Sequence, residues 1–114
     1  MQLRDAIRAR RMVRAFAPRP VPPELVDRLL DLATRAPSAG NTRPWAFVVL
    51  EGDETRRLWD VTLPDERRAR FRWRSLLDAP VLVVPLVEPA AYVRRYAAPD
   101  KQGTGLGEGT GAWP

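Results

Sequence analysis

Two short constellations in this sequence combine residue types that can do chemistry. The first is Arg10-Arg11-Met12-Val13-Arg14-Ala15-Phe16. Guanidinium groups grip phosphates in bidentate fashion and stay charged at every relevant pH. In an extended segment Arg10, Met12 and Arg14 point one way, Arg11 and Val13 the other. Such a cluster suits a nucleotide phosphate or a ribityl chain, and a solvated basic surface accounts for it equally well when it stands alone. The second constellation is Ala36-Pro37-Ser38-Ala39-Gly40-Asn41-Thr42-Arg43-Pro44-Trp45. Ser38, Asn41 and free backbone N–H groups can bind the polar edge of a ring, with Trp45 as an anchor. Taken alone, this is a turn between a helix and a strand.

The rest of the inventory narrows the chemistry. Among 114 residues there are 18 arginines, a single lysine, no cysteine and no histidine, for a net charge of +5. Disulfides, thiolate metal sites, thiol nucleophiles and imidazole acid–base catalysis are excluded. Redox or group-transfer chemistry must sit on a borrowed cofactor, or on carboxylates, Tyr or Ser. No metal site is expected, no side chain is assigned a catalytic role, and Tyr92 and Tyr96 read as packing residues. The longest apolar run, WAFVVL at 45–50, is far short of the ~18 residues a membrane span needs. The N-terminus carries charges from residue 4 and no apolar leader core. A cytoplasmic protein with no membrane partner is the resulting expectation. The preference for Arg over Lys is what a GC-rich genome produces and is not in itself a nucleic-acid signature.

The elements that must position the two constellations follow from periodicity. Residues 2–11 predict a short helix with Leu3, Ala6 and Ile7 on one face, followed by an extended connection enforced by Pro18, Pro20, Pro22 and Pro23. A second helix starts at Pro23, with Glu24 in its first turn and Leu25, Leu29, Leu32 and Ala36 at helical spacing, flanked by Val26, Leu30 and Ala33. Pro37 stops it. WAFVVLE (45–51) reads as a strand buried on both faces, and Gly52-Asp53 opens a helix carrying Leu58 and Trp59. Residues 65–78 read as one arginine-laden helix with Phe71, Leu76 and Leu77 inward. PVLVVPLV (80–87) is a second buried strand, with Pro85 at its end or at a bulge. A short helix near 89–97 and a Gly-rich loop over 103–114 complete the chain. Helices alternating with two strands predict an α+β or α/β layer packing.

Read in order, R-R-M-V-R-A-F, the helix P-V-P-P-E-L-V-D-R-L-L-D-L-A and A-P-S-A-G-N-T-R-P-W-A-F-V-V-L resemble the nitroreductase family of flavin-dependent oxidoreductases. The resemblance covers residues 3 to about 60 closely and the second strand more loosely. It implies an α+β fold, helices around a small central sheet, in a homodimer holding FMN at the subunit interface. By the same resemblance Arg10, Arg11, Met12 and Arg14 contact the FMN of their own subunit, Arg14 near the N1/C2 carbonyl edge. Pro37, Ser38, Ala39 and Asn41 reach the flavin of the partner subunit. Two positions depart from the family pattern: Met12 stands where Ser is common and leaves only a backbone contact, and Arg43 replaces the usual Gln. NAD(P)H is the implied donor. The acceptor is a small molecule, with nitroaromatics, quinones, flavins and enoate-like compounds all open. Family members are close to twice as long, so residues 1–114 are expected to form a single domain incomplete at its C-terminus.

Two other readings compete. RRARFRWR (67–74) interleaves Phe71 and Trp73 with five arginines, a pattern that can pair phosphate contacts with base stacking. The same residues also read as a helix with a solvated basic face, and the charge is split between two clusters, so no nucleic-acid partner is expected. The third reading is a non-catalytic remnant that pairs with another chain through exposed core surface, because two strands barely close a core.

Overall fold

Proline placement, apolar spacing and β-branched runs produce the expected alternation of elements. A computed structural model describes residues 2–101 together with Gly103 and Thr104. The order is α1 (Leu3–Ala9), α2 (Pro23–Thr34), β1 (Trp45–Glu51), α3 (Asp53–Thr62), α4 (Asp65–Ala69), β2 (Val81–Val87) and α5 (Pro89–Tyr96). Single 3-10 turns stand at Ala39–Asn41, Arg74–Leu76 and Pro99–Lys101. The strands pair in one two-stranded sheet. The Glu88 N–H donates to the Pro44 carbonyl at 2.8 Å, which ties the end of β2 to the start of β1 and makes the pair antiparallel. This is the expected α+β class. The Gly-rich segment lies, apart from Gly103 and Thr104, outside the described residues. Among the described residues no helix is long and apolar enough to cross a membrane.

The chain divides into two compact units, residues 1–20 with 50–82 and residues 21–49 with 83–114. In the first unit Gly52 opens α3 at φ +55° and ψ −122°, a conformation only glycine adopts without Cβ conflict. The buried Thr55 hydroxyl donates to the Gly52 carbonyl at 2.7 Å, and Asp53 and Glu54 sit in the first turn, where the helix dipole favours acids. Asp60 of α3 accepts from Arg68 of α4 at 2.8 Å. The single helix expected over 65–78 is not formed. α4 stops at Ala69 after five residues, and only a 3-10 turn follows at Arg74–Leu76. The reason is tertiary: the Phe16 N–H donates to the Ser75 carbonyl at 2.9 Å, and Phe71 meets Trp73 edge to face at 5.9 Å. Those contacts need a chain path that a continuous helix does not provide. Phe71, Leu76 and Leu77 are nonetheless half-buried, as their spacing suggested.

In the second unit α2 begins at Pro23 and is braced by the Asp31–Arg35 pair at 2.9 Å. Its covered stripe runs through flanking positions of the expected apolar face and not through its centre. Val26 is buried at 7% exposure with Leu30 and Thr34 half-buried above it, whereas Leu25, Leu29, Leu32 and Ala36 face outward. The helix has two apolar stripes, and leucine spacing alone does not say which is covered. The strands depart from expectation for a related reason. β1 alternates between half-buried Trp45, Phe47 and Val49 and exposed Ala46 and Val48, so it is not buried on both faces. β2 likewise exposes Val83, Leu86 and Val87. β2 also continues through Pro85 to Val87, because each strand of a two-stranded sheet is an edge, where proline is tolerated.

Val26→Ala is expected to lower the unfolding free energy by about 1.5–2.5 kcal/mol, the loss of two buried methyl groups plus part of a cavity. Leu29→Ala, on the outward stripe, is expected to change it by less than about 0.5 kcal/mol. Urea unfolding of both variants reads the difference. Equal costs would show that the outward stripe is covered in solution.

Candidate functional site

The first constellation begins where α1 ends. Arg10 is the C-terminal cap residue, leaving helical geometry at φ −55° and ψ 129°, and residues 10–22 form neither helix nor strand. Arg10, Arg11, Met12 and Arg14 are all exposed, Met12 at 67%. A terminal nitrogen of Arg11 donates to the carbonyls of Arg8 at 2.7 Å and Arg10 at 3.0 Å, which folds this side chain back over the end of α1. Arg14 stacks its guanidinium over Trp73, 5.0 Å from the ring centroid, and Arg72 approaches the same ring at 5.8 Å. Such a cation–π contact contributes about 0.5–1 kcal/mol at an exposed site and fixes the direction of the arginine. None of Arg10, Arg11 and Arg14 is paired with a carboxylate among the described residues. They remain available to an anion.

The second constellation lies in the other unit and is a closed loop between α2 and β1. Gly40, Asn41 and Arg43 all take left-handed backbone angles, with φ of +60°, +53° and +51°. Asparagine tolerates this region, whereas arginine adopts it only where the surroundings insist. Here they do. The Arg43 N–H donates to the Ser38 hydroxyl oxygen at 2.9 Å, and the Arg43 Nε donates to the Asn41 carboxamide oxygen at 2.9 Å. The Thr42 hydroxyl donates to the Ala39 carbonyl at 2.7 Å, and the Asn41 N–H to the Ser38 carbonyl at 2.9 Å. These bonds consume acceptors. Ser38 and Asn41 each keep one further lone pair, and the Ser38 hydroxyl proton and the Asn41 carboxamide NH2 are donors with no partner among the described residues. Pro37 and Ala39 are exposed and bring backbone and methyl surface to the same turn.

Two residues that the sequence did not single out hold this loop. Arg95, in the last turn of α5, donates from Nε to the Gly40 carbonyl at 2.9 Å. Its two terminal nitrogens donate to the two carboxylate oxygens of Asp100 at 2.8 Å each. Asp100 follows the end of α5 in a separate turn, so no helical spacing connects the pair. In the sequence Trp73 is part of a basic aromatic run, and nothing local marks it as the partner of Arg14. Beside the loop, Arg43, Pro44, Trp45 and Ala46 face Leu86, Val87 and Glu88 across a cavity of about 340 Å³.

A profile of the family described as "Nitroreductase family" matches residues 7–107. The chain belongs to the nitroreductase family. It is 32% identical over 106 residues to an NADH dehydrogenase of Thermus thermophilus, covering 90% of this chain and 48% of that one. It is 35% identical over 116 residues to a 5,6-dimethylbenzimidazole synthase of Rhodospirillum rubrum, covering 89% of this chain and 50% of the relative. A 4-nitrobenzoate reductase of Pseudomonas putida is 46% identical over 55 residues, 47% of this chain and 24% of that protein. The chain thus spans about half the length, or less, of these curated relatives. The family match includes both constellations and all of α5.

The bonds from Arg95 lower the Asp100 pKa from its usual value; partial desolvation opposes this, and the charges of Arg95 and Lys101 add to the lowering. The bond to Asp100 raises the Arg95 pKa in turn, with desolvation opposing. A carboxylate with a depressed folded pKa contributes stability that is present above its unfolded pKa and is lost as pH falls through the folded one. For Arg95 the contribution persists at every pH below the ordinary arginine value. The pair is therefore expected to open only in acid below the usual carboxylate range. Carbon-detected NMR titration of Asp100 should show this, and Arg95→Ala should return most of the shift.

Proposed function

We propose that this chain carries FMN-binding elements of an NAD(P)H-dependent oxidoreductase that reduces a small-molecule acceptor such as a nitroaromatic or a quinone. The carrying observation is the donor set of the 38–43 loop: the Ser38 hydroxyl oxygen and the Asn41 carboxamide oxygen each accept a bond from Arg43, while the Ser38 hydroxyl proton and the Asn41 NH2 group have no partner among the described residues. The pyrimidine side of a flavin ring is rich in acceptor atoms, so donors are what it requires. The exposed guanidiniums of Arg10 and Arg11, neither paired with a carboxylate among the described residues, fit a phosphate. Membership of the nitroreductase family supports the same cofactor.

When bound, FMN supplies a two-electron carrier at ring N5. The chain's own task is to bind, orient and polarise. In this reading Arg10 and Arg11 hold the phosphate, and Met12 offers only its backbone. Arg14, aimed by Trp73, places positive charge near the pyrimidine edge, where negative charge develops on reduction. Ser38, Asn41, Pro37 and Ala39 serve the flavin held by a partner subunit. Two copies of the chain are thus required in this reading. The absence of histidine and cysteine is compatible with this division of labour, since the bound group carries the electrons.

Visible absorbance of the purified chain with and without added FMN, read with its mass in solution, tests the proposal. Flavin absorbance that co-elutes with a dimer is the expected result. An Arg10→Ala/Arg11→Ala double variant should bind FMN at least ~10-fold more weakly, the loss of one or two charge-assisted hydrogen bonds of about 1.5–3 kcal/mol each. A chain that stays colourless in excess FMN would sink the reading.

A further inference from the structure

Arg95 stands outside both constellations, yet it makes contacts that converge on one of them. Its Nε bonds the Gly40 carbonyl while its terminal nitrogens fork onto both oxygens of Asp100. The fork fixes the plane of the guanidinium, and a fixed plane fixes where the Nε–H points. The aliphatic stem matters as well. A Cβ on Gly40 would lie 3.0 Å from the Arg95 Cγ and 3.4 Å from the Tyr96 ring, so α5 presses directly against the left-handed turn. Arg95 is also the better covered partner, with its side chain 30% exposed against 62% for Asp100.

The turn needs such a hold. Gly40, Asn41 and Arg43 are three left-handed residues within four positions, and an arrangement of this kind persists only where neighbours over-determine it. The bonds to Ser38, Ala39 and Asn41 are all internal to the loop. Arg95 supplies a side-chain bond from outside.

We infer that Arg95, oriented by Asp100, is a positioning residue that clamps Gly40 and so holds the Ser38 hydroxyl and the Asn41 carboxamide in their ligand-binding orientation. This rests on the reading that the loop serves a flavin. It adds two residues, one clamp and one orienter, that touch no ligand themselves. Lysine cannot replace Arg95, because one ammonium on a flexible stem cannot supply the fork and the Nε bond together.

The test combines FMN titration, amide hydrogen exchange of residues 38–43 without FMN, and the unfolding midpoint, on wild type, Arg95→Ala, Arg95→Lys, Asp100→Asn and Asn41→Ala. Arg95→Ala should weaken FMN about 10-fold and speed exchange in 38–43 by a similar factor, with β1 exchange unchanged. Arg95→Lys should resemble Arg95→Ala, and Asp100→Asn should fall between them and wild type. In the Asn41→Ala background, Arg95→Ala should cost less than about threefold, because both changes act through the same loop. A residue that only supports the fold would instead lower the midpoint and give additive losses, which overturns the inference. FMN affinity and loop exchange within twofold of wild type in Arg95→Ala also overturn it, while leaving the flavin reading intact. A wild-type chain that takes up no FMN overturns the flavin reading and, with it, this role for Arg95.

Discussion

The passage from α2 into β1 must turn the chain within a few residues, and it does so through left-handed backbone at Gly40, Asn41 and Arg43. Non-glycine residues in that region cost on the order of 1–3 kcal/mol each unless neighbours compensate. The compensation defines the site. Ser38 and Asn41 give up acceptor capacity to Arg43, Ala39 gives its carbonyl to Thr42, and Gly40 gives its carbonyl to Arg95. The Ser38 hydroxyl proton and the Asn41 NH2 group take no part in these bonds, so the contacts that hold the strained backbone leave two donor groups in the same turn.

The arginines divide by the same logic of partners. Arg35, Arg56, Arg68, Arg94 and Arg95 meet carboxylates, whereas no acid occurs anywhere between Asp5 and Glu24. Exposed ion pairs add little stability, roughly 0–1 kcal/mol, so the pairing matters more for the field it leaves behind. The segment containing Arg10, Arg11 and Arg14 keeps an uncompensated positive potential suited to an anion. The basic run at 67–74 differs. Its Trp73 already receives Arg14 and Arg72 from this chain. That occupation weighs against a base-stacking surface and makes the run a brace for the first constellation.

Much of this was legible in the sequence. Pro23 and Pro37 bracket α2, and the run at 45–51 is β1 residue for residue. The errors share a cause. The break of the expected 65–78 helix depends on Phe16 bonding Ser75, a contact between residues far apart in sequence that no local propensity records. The covered stripe of α2 depends on which of two apolar faces finds a neighbour, and the half-burial of β1 on how many strands flank it. Arg95 and Asp100 escaped notice because their significance lies in a bond to Gly40, 55 residues away in sequence from Arg95. In a chain with 18 arginines, one more gives no local signal.

Those nonlocal contacts fix the 38–43 loop at three places. Val26, Leu30 and Thr34 seat α2 and so set where the loop begins. The Glu88 N–H on the Pro44 carbonyl sets where it ends. Arg95 sets its middle. A loop with free ends and a free centre loses conformational entropy when it closes on a ligand, about 0.5–1.5 kcal/mol for each side chain that must be immobilised. Here Ser38 and Asn41 are already bonded before any ligand arrives. Binding then has less ordering to oppose it, and the affinity of so small a donor set depends on contacts made well outside it.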